Sequence, residues 1–140
     1  MNSAGYLINH LARLFAEGLR QRVEPLGIVP GQFPALLELW LQDGQTQKQL
    51  VEKLDIEQAT LANTLSRMER DGLITREPHP DDGRARIVKL TPKAKAIQKD
   101  AYEAAKKTNL FAMADLSEAE QAQFVDFMQR ILKTLRAPNS

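Results

Sequence analysis

From about Gly5 to Arg22 the apolar residues Leu7, Ile8, Leu11, Leu14, Phe15 and Leu19 recur at spacings of three and four, which marks one broad face of a helix. Such a stripe needs a partner, either in its own domain or in a second chain. The stretch EPLGIVPGQF then breaks the pattern. Pro25, Gly27, Pro30 and Gly31 predict a loop, with Pro30 opening the next helix because the N–H it lacks would be unpaired there. That helix, through about Leu41, presents Phe33, Leu36, Leu37, Trp40 and Leu41. Trp40 continues the stripe and reads as a core residue rather than a ligand platform.

QDGQ ends this helix, and Thr46 to Gln49, TQKQ, fits a capping box that opens a short helix with Leu50, Val51 and Leu54 inward. LDIE reads as a turn. A helix follows from about Gln58 to Asp71, with Leu61, Leu65 and Met68 at i, i+4 and i+7 against the core. Its other side holds Gln58, Ala59, Ala62, Asn63, Ser66, Arg67 and Arg70. Gly72 is placed to end it.

LITREP and RARIVKL then read as two strands, through Leu73 and Ile74 and through the alternation of Ile87 and Lys89 with Val88 and Leu90. HPDDGR between them is a turn in which Pro80 restricts φ and Gly83 is expected to supply a positive φ. Arg84 and Arg86, two residues apart, are expected on one strand face. Asp82 is placed to hold one arginine by a charge-assisted bond, an ordinary loop ion pair being the alternative. Thr91 and Pro92 restart a helix as N-cap and first residue. It is expected to continue through KAKAIQKDAYEAAKKTNLFA with a small-residue side of Ala94, Ile97, Ala101, Ala104 and Ala105. Ser117 to Glu120 is a second capping box, and the last helix carries Phe124, Phe127, Met128, Ile131, Leu132 and Leu135. APNS at the end is expected to fray.

The pattern predicts a mainly α fold: a helix–turn–helix with a two-stranded β-hairpin, and a helical dimerisation region made from both chain ends. The expected division is 1–29 for an N-terminal dimerisation helix and loop, 30–91 for the helix–turn–helix and hairpin lobe, and 92–140 for C-terminal dimerisation helices. Leu7 and Leu11 at one end, with Phe124, Met128, Ile131 and Leu135 at the other, are the residues expected at a homodimer seam.

Composition narrows the possible functions. With 140 residues, 43% of them hydrophobic, the chain suits one cored domain. It has no cysteine, which excludes disulfides, thiolate metal sites and cysteine-based oxidant sensing. No apolar run approaches membrane-spanning length and the first residues lack a secretory pattern, so a cytoplasmic protein without membrane association is expected. The net charge of +1 is not a nucleic-acid signal by itself. Residues 46–95 hold 10 Lys/Arg against 8 Asp/Glu, residues 1–45 hold 3 against 4, and residues 96–140 hold 6 against 6. A DNA reading therefore rests on where the arginines sit.

The helix from Gln58 to Asp71 offers that placement. Small Ala59 and Ala62 leave room for a groove, Asn63 suits an adenine edge, and Arg67 suits a guanine edge or a phosphate. A solvated helix face has similar residues, so the hairpin arginines beside it matter more: Arg84 and Arg86 are shaped for a phosphate backbone and minor groove. The two histidines, His10 and His79, fall in different settings without catalytic partners, and no metal-ligand spacing or phosphate-cradling glycine loop occurs. An enzyme is not expected, nor a metal or cofactor. A protein–protein adaptor using the arginine surface against an acidic partner is the alternative to DNA binding.

TQKQLVEKLDIEQATLANTLSRMERDGLITREPHPDDGRARIVKLTPKA strongly resembles the MarR family of winged helix–turn–helix regulators, and the match runs in order over nearly the whole chain. Its most specific part joins the spacing L..L......T.A..L..M...G.I.R to PDDGRARIVKLT. The resemblance implies a triangular homodimer whose first, fifth and sixth helices interlock and whose winged lobes straddle double-stranded DNA. It also implies a transcriptional repressor that leaves a pseudo-palindromic operator when a small aromatic or phenolic effector binds between the dimerisation and DNA-binding parts. On this sequence the recognition helix is Gln58–Arg70, with Gln58, Ala59, Ala62, Asn63 and Arg67 nearest the major groove. The family's wing aspartate and arginine match Asp82 and Arg84, and a second wing arginine matches Arg86. Two positions depart from the family: Gly83, where another arginine is frequent, and Glu57, where Ser or Thr commonly begins the recognition helix. The effector pocket is expected where the first two helices meet, lined by His10, Leu11, Leu14, Phe33, Leu36, Leu37 and Trp40, each of which also suits a core position.

Overall fold

The computed structural model describes residues 2–138, so Asn139 and Ser140 of the tail expected to fray lie outside the described residues. The chain begins with α1 (Ala4–Val23), then a 3₁₀ turn over Glu24–Leu26 closed by Gly27 at φ 82°. A second 3₁₀ turn, Pro30–Gln32, leads into α2 (Phe33–Leu41). Pro30 thus opens a 3₁₀ turn ahead of the α-helix expected there. β1 (Gln45–Thr46), α3 (Gln47–Leu54) and α4 (Gln58–Arg70) follow, then β2 (Ile74–Pro78) and β3 (Arg86–Leu90). α5 (Pro92–Ala96), α6 (Gln98–Ala112) and α7 (Glu118–Arg136) complete the order.

Local signals set most boundaries. Thr46 Oγ1 accepts from the Gln49 N–H while Gln49 accepts from the Thr46 N–H, and Ser117 and Glu120 repeat the exchange at α7. Thr91 accepts from the Ala94 N–H ahead of Pro92. α4 ends in a Schellman motif, in which Gly72, at φ 77°, donates to Glu69 O and Leu73 donates to Met68 O. A side chain other than glycine would be strained at that φ.

The ribbon expected to have two strands has three, in the order β1-β3-β2 and antiparallel throughout. β1 was hidden because it is two polar residues long. Gln45 is nevertheless fully buried: its Nε2 donates to Glu38 O and Gln42 O, closing the end of α2. Asp43 accepts from the Leu90 N–H and fastens the same loop to β3. The helix expected to run unbroken from Pro92 is interrupted at Ile97, at φ −94° and ψ 0°. The bend falls where the Ala94 carbonyl accepts the Trp40 indole N–H at 3.1 Å, an insertion of the kind that bends helices.

The core joins Val23, Ile28, Leu36, Leu39, Leu50, Leu61, Leu65, Met68, Leu73, Ile74 and Val88, with Ala94, Ala101 and Ala104 from α5 and α6. Trp40 packs edge-on to Phe33 and Tyr102, at 6.1 and 5.6 Å between ring centres. Leu41, expected on the inward stripe of α2, is 78% exposed at the last position of the helix, whereas Leu39 in the same turn is fully buried. The two ends of the chain are unlike this interior. α1 packs along α6, yet Leu7, Ile8, Leu11 and Leu14 are exposed. α7 has no buried residue, and Phe127, Met128, Ile131, Leu132 and Leu135 lie open. At its far end Arg136 pairs with Asp55 at 2.8 Å and donates to Glu52 O in the last turn of α3. No helix of the described residues is long and apolar enough to cross a membrane.

Candidate nucleic-acid interface

α4 separates its two sides sharply. Leu61, Leu65 and Met68 are fully buried, which fixes the helix's rotation about its axis. Gln58, Ala59, Asn63, Ser66, Arg67 and Arg70 are exposed on the other side, with Ala62 half-buried at the edge. Asn63 and Arg67 make no side-chain hydrogen bond among the described residues, so their donors face solvent. Arg70 is engaged by its neighbour Asp71 at 3.3 Å. Glu57 occupies the N-cap and gives no side-chain cap bond, so the first N–H groups of α4 remain unsatisfied by it.

Asp71, at the other end, connects the helix to the lobe. Its carboxylate accepts from the buried Gln32 side chain at 3.0 Å, and the Gln32 oxygen in turn accepts from the Val29 N–H. The Gln32 bond, assisted by Arg70 and Lys93, holds the Asp71 carboxyl below its usual range against the opposing cost of burial.

The wing departs from expectation at its tip. Gly83 does not take a positive φ, which among glycines occurs at Gly27, Gly44 and Gly72. Asp82 builds the turn instead: its Oδ1 accepts the Arg84 backbone N–H at 3.0 Å and its carbonyl accepts the Ala85 N–H. His79 reinforces the turn by accepting from the Asp81 N–H through Nδ1. Asp82 therefore holds Arg84 by its main chain, and makes no ion pair with either arginine among the described residues. Because the turn takes up residue 84, β3 starts at Arg86, and Arg84 sits in the turn rather than sharing a strand face with Arg86. Both guanidinium groups remain exposed.

Between the wing and the starts of α3 and α4 lies an open groove of about 550 Å³, lined by Thr46, Gln47, Lys48, Gln58, His79, Asp82, Arg84 and Arg86. It joins three cations from two elements to the first turn of α3, a favourable setting for an anionic backbone. Gln47, Lys48 and His79 were not among the residues expected there. The TQKQ box placed Gln47 and Lys48 in the first turn of a helix, which was the available signal. Arg76 of β2 was also missed; it reaches Ser66 and Glu69 of α4 at 3.2 Å each.

The residues expected to line an effector pocket do not form one wall. His10, Leu11 and Leu14 lie exposed along the first half of α1, whereas Phe33 and Leu36 are buried. Trp40 is committed to Ala94. A cleft of about 260 Å³ between α1, α2 and α6 contains Phe33 and Leu37, joined by Phe15, Ala16, Leu19, Ala105, Thr108 and Asn109. The residues named for a dimer seam, Leu7, Leu11, Met128, Ile131 and Leu135, are exposed, and Phe124 is half-buried.

Residues 28–85, from the turn before α2 to the wing tip, match the profile of the MarR family. The arrangement of the remaining helices agrees: a probable transcriptional regulator from Pseudomonas aeruginosa superposes with a TM-score of 0.86 at 28% identity, over 93% of this chain and 97% of that one. Over residues 28–85 the chain is similar to the MarR family. The organic hydroperoxide resistance transcriptional regulator of Bacillus subtilis is 27% identical over 138 residues, 99% of this chain and 92% of the relative. A mutant MarR from E. coli in complex with operator DNA is 25% identical, with a TM-score of 0.84 over 91% of this chain and 92% of that one. The protein thus has the winged helix fold of these transcriptional regulators. These relatives are regulators rather than enzymes, and among the described residues no group of three His, Asp or Glu is placed to hold a metal ion.

Proposed function

We propose that this protein is a cytoplasmic repressor of the MarR family that binds a pseudo-palindromic operator as a homodimer and leaves it when a small aromatic or phenolic molecule binds. The observation that carries the reading is the two-sidedness of α4. Its inward residues are fully buried, while Asn63 and Arg67 stand exposed and unbonded among the described residues, on a helix whose Gln58 lines the groove edged by Lys48, Arg84 and Arg86. Residues 30–91 form the reading lobe, with Asn63 and Arg67 discriminating bases and the wing arginines gripping backbone and minor groove. Residues 1–29 and 92–140 supply the dimer layer. The open apolar rows of α1 and α7 support that assignment, since rows of this extent are ordinarily covered. A two-fold dimer places equivalent helices about 34–36 Å apart, in successive major grooves on one face.

The cleft holding Phe33 and Leu37 is the effector site in this reading. At about 260 Å³ it lies just under the usual ~300–1,000 Å³ of ligand pockets, suits a single ring, and offers Asn109 as a polar contact. Selection of bound duplexes from a random pool, with light scattering on the purified protein, tests the proposal. An inverted-repeat motif and a mass of twice 15.8 kDa are expected. A monomer, or a selected pool without half-sites, would overturn it.

A further inference from the structure

We propose that Arg76 is a positioning residue that fixes the recognition helix against the wing and so sets how well the protein separates its operator from other DNA. The inference rests on the DNA-binding reading above and adds a residue outside the reading surface to it. Arg76 lies at the middle of β2, directly opposite fully buried Val88 of β3, so its backbone is anchored in the sheet. Its side chain is 24% exposed and crosses to α4. One nitrogen, Nη2, donates to Ser66 Oγ and to Glu69 Oε1, both at 3.2 Å. Ser66 and Glu69 are three residues apart and therefore neighbours on one side of the helix. A single guanidinium group thus spans nearly a turn of α4 from the adjoining strand.

Two consequences follow from the chemistry. Arg76 uses a lone pair of Ser66, so the Ser66 hydroxyl proton is directed elsewhere and the residue meets DNA as a donor. Glu69 faces a second cation as well: Arg86 lines the same small recess of about 320 Å³ with Glu69 and Arg76. The Arg76 bond first, and the charges of Arg76 and Arg86 after it, hold the Glu69 carboxyl low against the cost of burial. Glu69 thus shares one recess with both arginines before DNA arrives. Arg76 itself is matched by Glu69 and faces α4, so it releases no counterion when a backbone binds.

The test compares Arg76→Ala, Arg76→Lys and Glu69→Gln with the unmodified protein, using a selected operator and a random duplex across a salt series. Arg76→Ala is expected to lower the operator-to-random affinity ratio about tenfold while leaving the salt slope unchanged, as for a coupled contact outside the DNA footprint. Arg76→Lys, which keeps the charge and donors, is expected to restore part of that ratio, and Glu69→Gln to give an intermediate loss. An unchanged ratio in Arg76→Ala overturns the proposal. So does a slope that falls by about 0.9 per subunit, which marks a direct phosphate contact. Hydrogen exchange on the free proteins reads the latch without DNA: faster exchange of the β2 amides and the last turn of α4 in Arg76→Ala is expected, and unchanged exchange overturns it. If the unmodified protein shows no operator preference, the function proposed above fails, while the exchange comparison still decides whether the latch exists.

Discussion

Replacing Arg84 by Ala separates the two kinds of contact assigned to the reading lobe. Its guanidinium is exposed and makes no hydrogen bond or ion pair among the described residues, and the turn it occupies is held by Asp82 through the main chain. The substitution should therefore change folding stability by no more than about 0.5 kcal/mol. If each Arg84 neutralises one phosphate, a dimer without both loses two released counterions, and the slope of log affinity against log salt becomes shallower by about 1.8. The loss of affinity is then greatest at low salt: the ratio of unmodified to variant binding shrinks about twelvefold between about 50 and 200 mM. Fluorescence anisotropy on labelled duplexes measures this directly. Asn63→Ala is the contrasting case. It removes no charge, so the slope should stay fixed while about 1–3 kcal/mol of discrimination is lost at one base pair in each half-site. An unchanged slope in Arg84→Ala, or equal weakening on operator and random DNA in Asn63→Ala, would refute the assignment of wing to backbone and helix to bases.

Three further outcomes are expected. Glu57→Ser supplies the missing N-cap acceptor of α4, and a calorimetric scan should show about 1 kcal/mol of added stability together with tighter DNA binding as a negative charge leaves the start of the helix. Asp71 has a folded pKa below its ordinary 3.8, so its contribution is fully present above that pH and is lost as pH falls through the lower folded value. Urea midpoints at pH 6 and pH 3 should therefore differ less for Asp71→Asn than for the unmodified protein, with Asp71→Asn weaker by about 1 kcal/mol at pH 6. Ile131→Glu places a charge in the open row of α7, and light scattering should report half the mass of the unmodified protein with the circular dichroism of the winged lobe retained.

What the sequence disclosed was chiefly local. The limits of α4 follow from Gly72 at one end and the spacing of Leu61, Leu65 and Met68 within, and the capping boxes at Thr46 and Ser117 are short-range chemistry between fixed offsets. What it concealed depends on partners distant in the chain. β1 exists because Gln45 and Thr46 meet Val88 and Ile87, more than forty positions away. Ile97 interrupts a helix whose residues all tolerate helix, at a carbonyl taken by Trp40. Arg76 reads as one more strand arginine until β2 is laid against α4. At the wing tip two local rules competed. Glycine at position 83 permitted a positive φ, but the Asp82 side chain closed the turn first and pulled Arg84 out of the strand.

The same distant contacts limit how an effector would act. Moving a population from 1:99 to 99:1 requires a differential binding energy of about 5.5 kcal/mol, or about 2.7 for each of two clefts in a dimer. A single-ring ligand of about ten atoms gains roughly 3–15 kcal/mol in total, so much of its contact must be sensitive to the conformational state. The cleft is suited to this because its walls belong to different elements, with Phe33 and Leu37 on α2 and Ala105, Thr108 and Asn109 on α6. Trp40, one turn beyond Leu37, joins the same two regions through Ala94 and the Tyr102 ring. A molecule that widened the cleft would therefore act against a fixed point at one end of α2 rather than translate the whole helix. The resulting rotation would pass to α4 through Gln32 and Asp71, which bind the start of α2 to the end of the recognition helix. Small displacement beside α1 would thus become a change in half-site spacing, provided the ligand favours the wider arrangement by the margin given above.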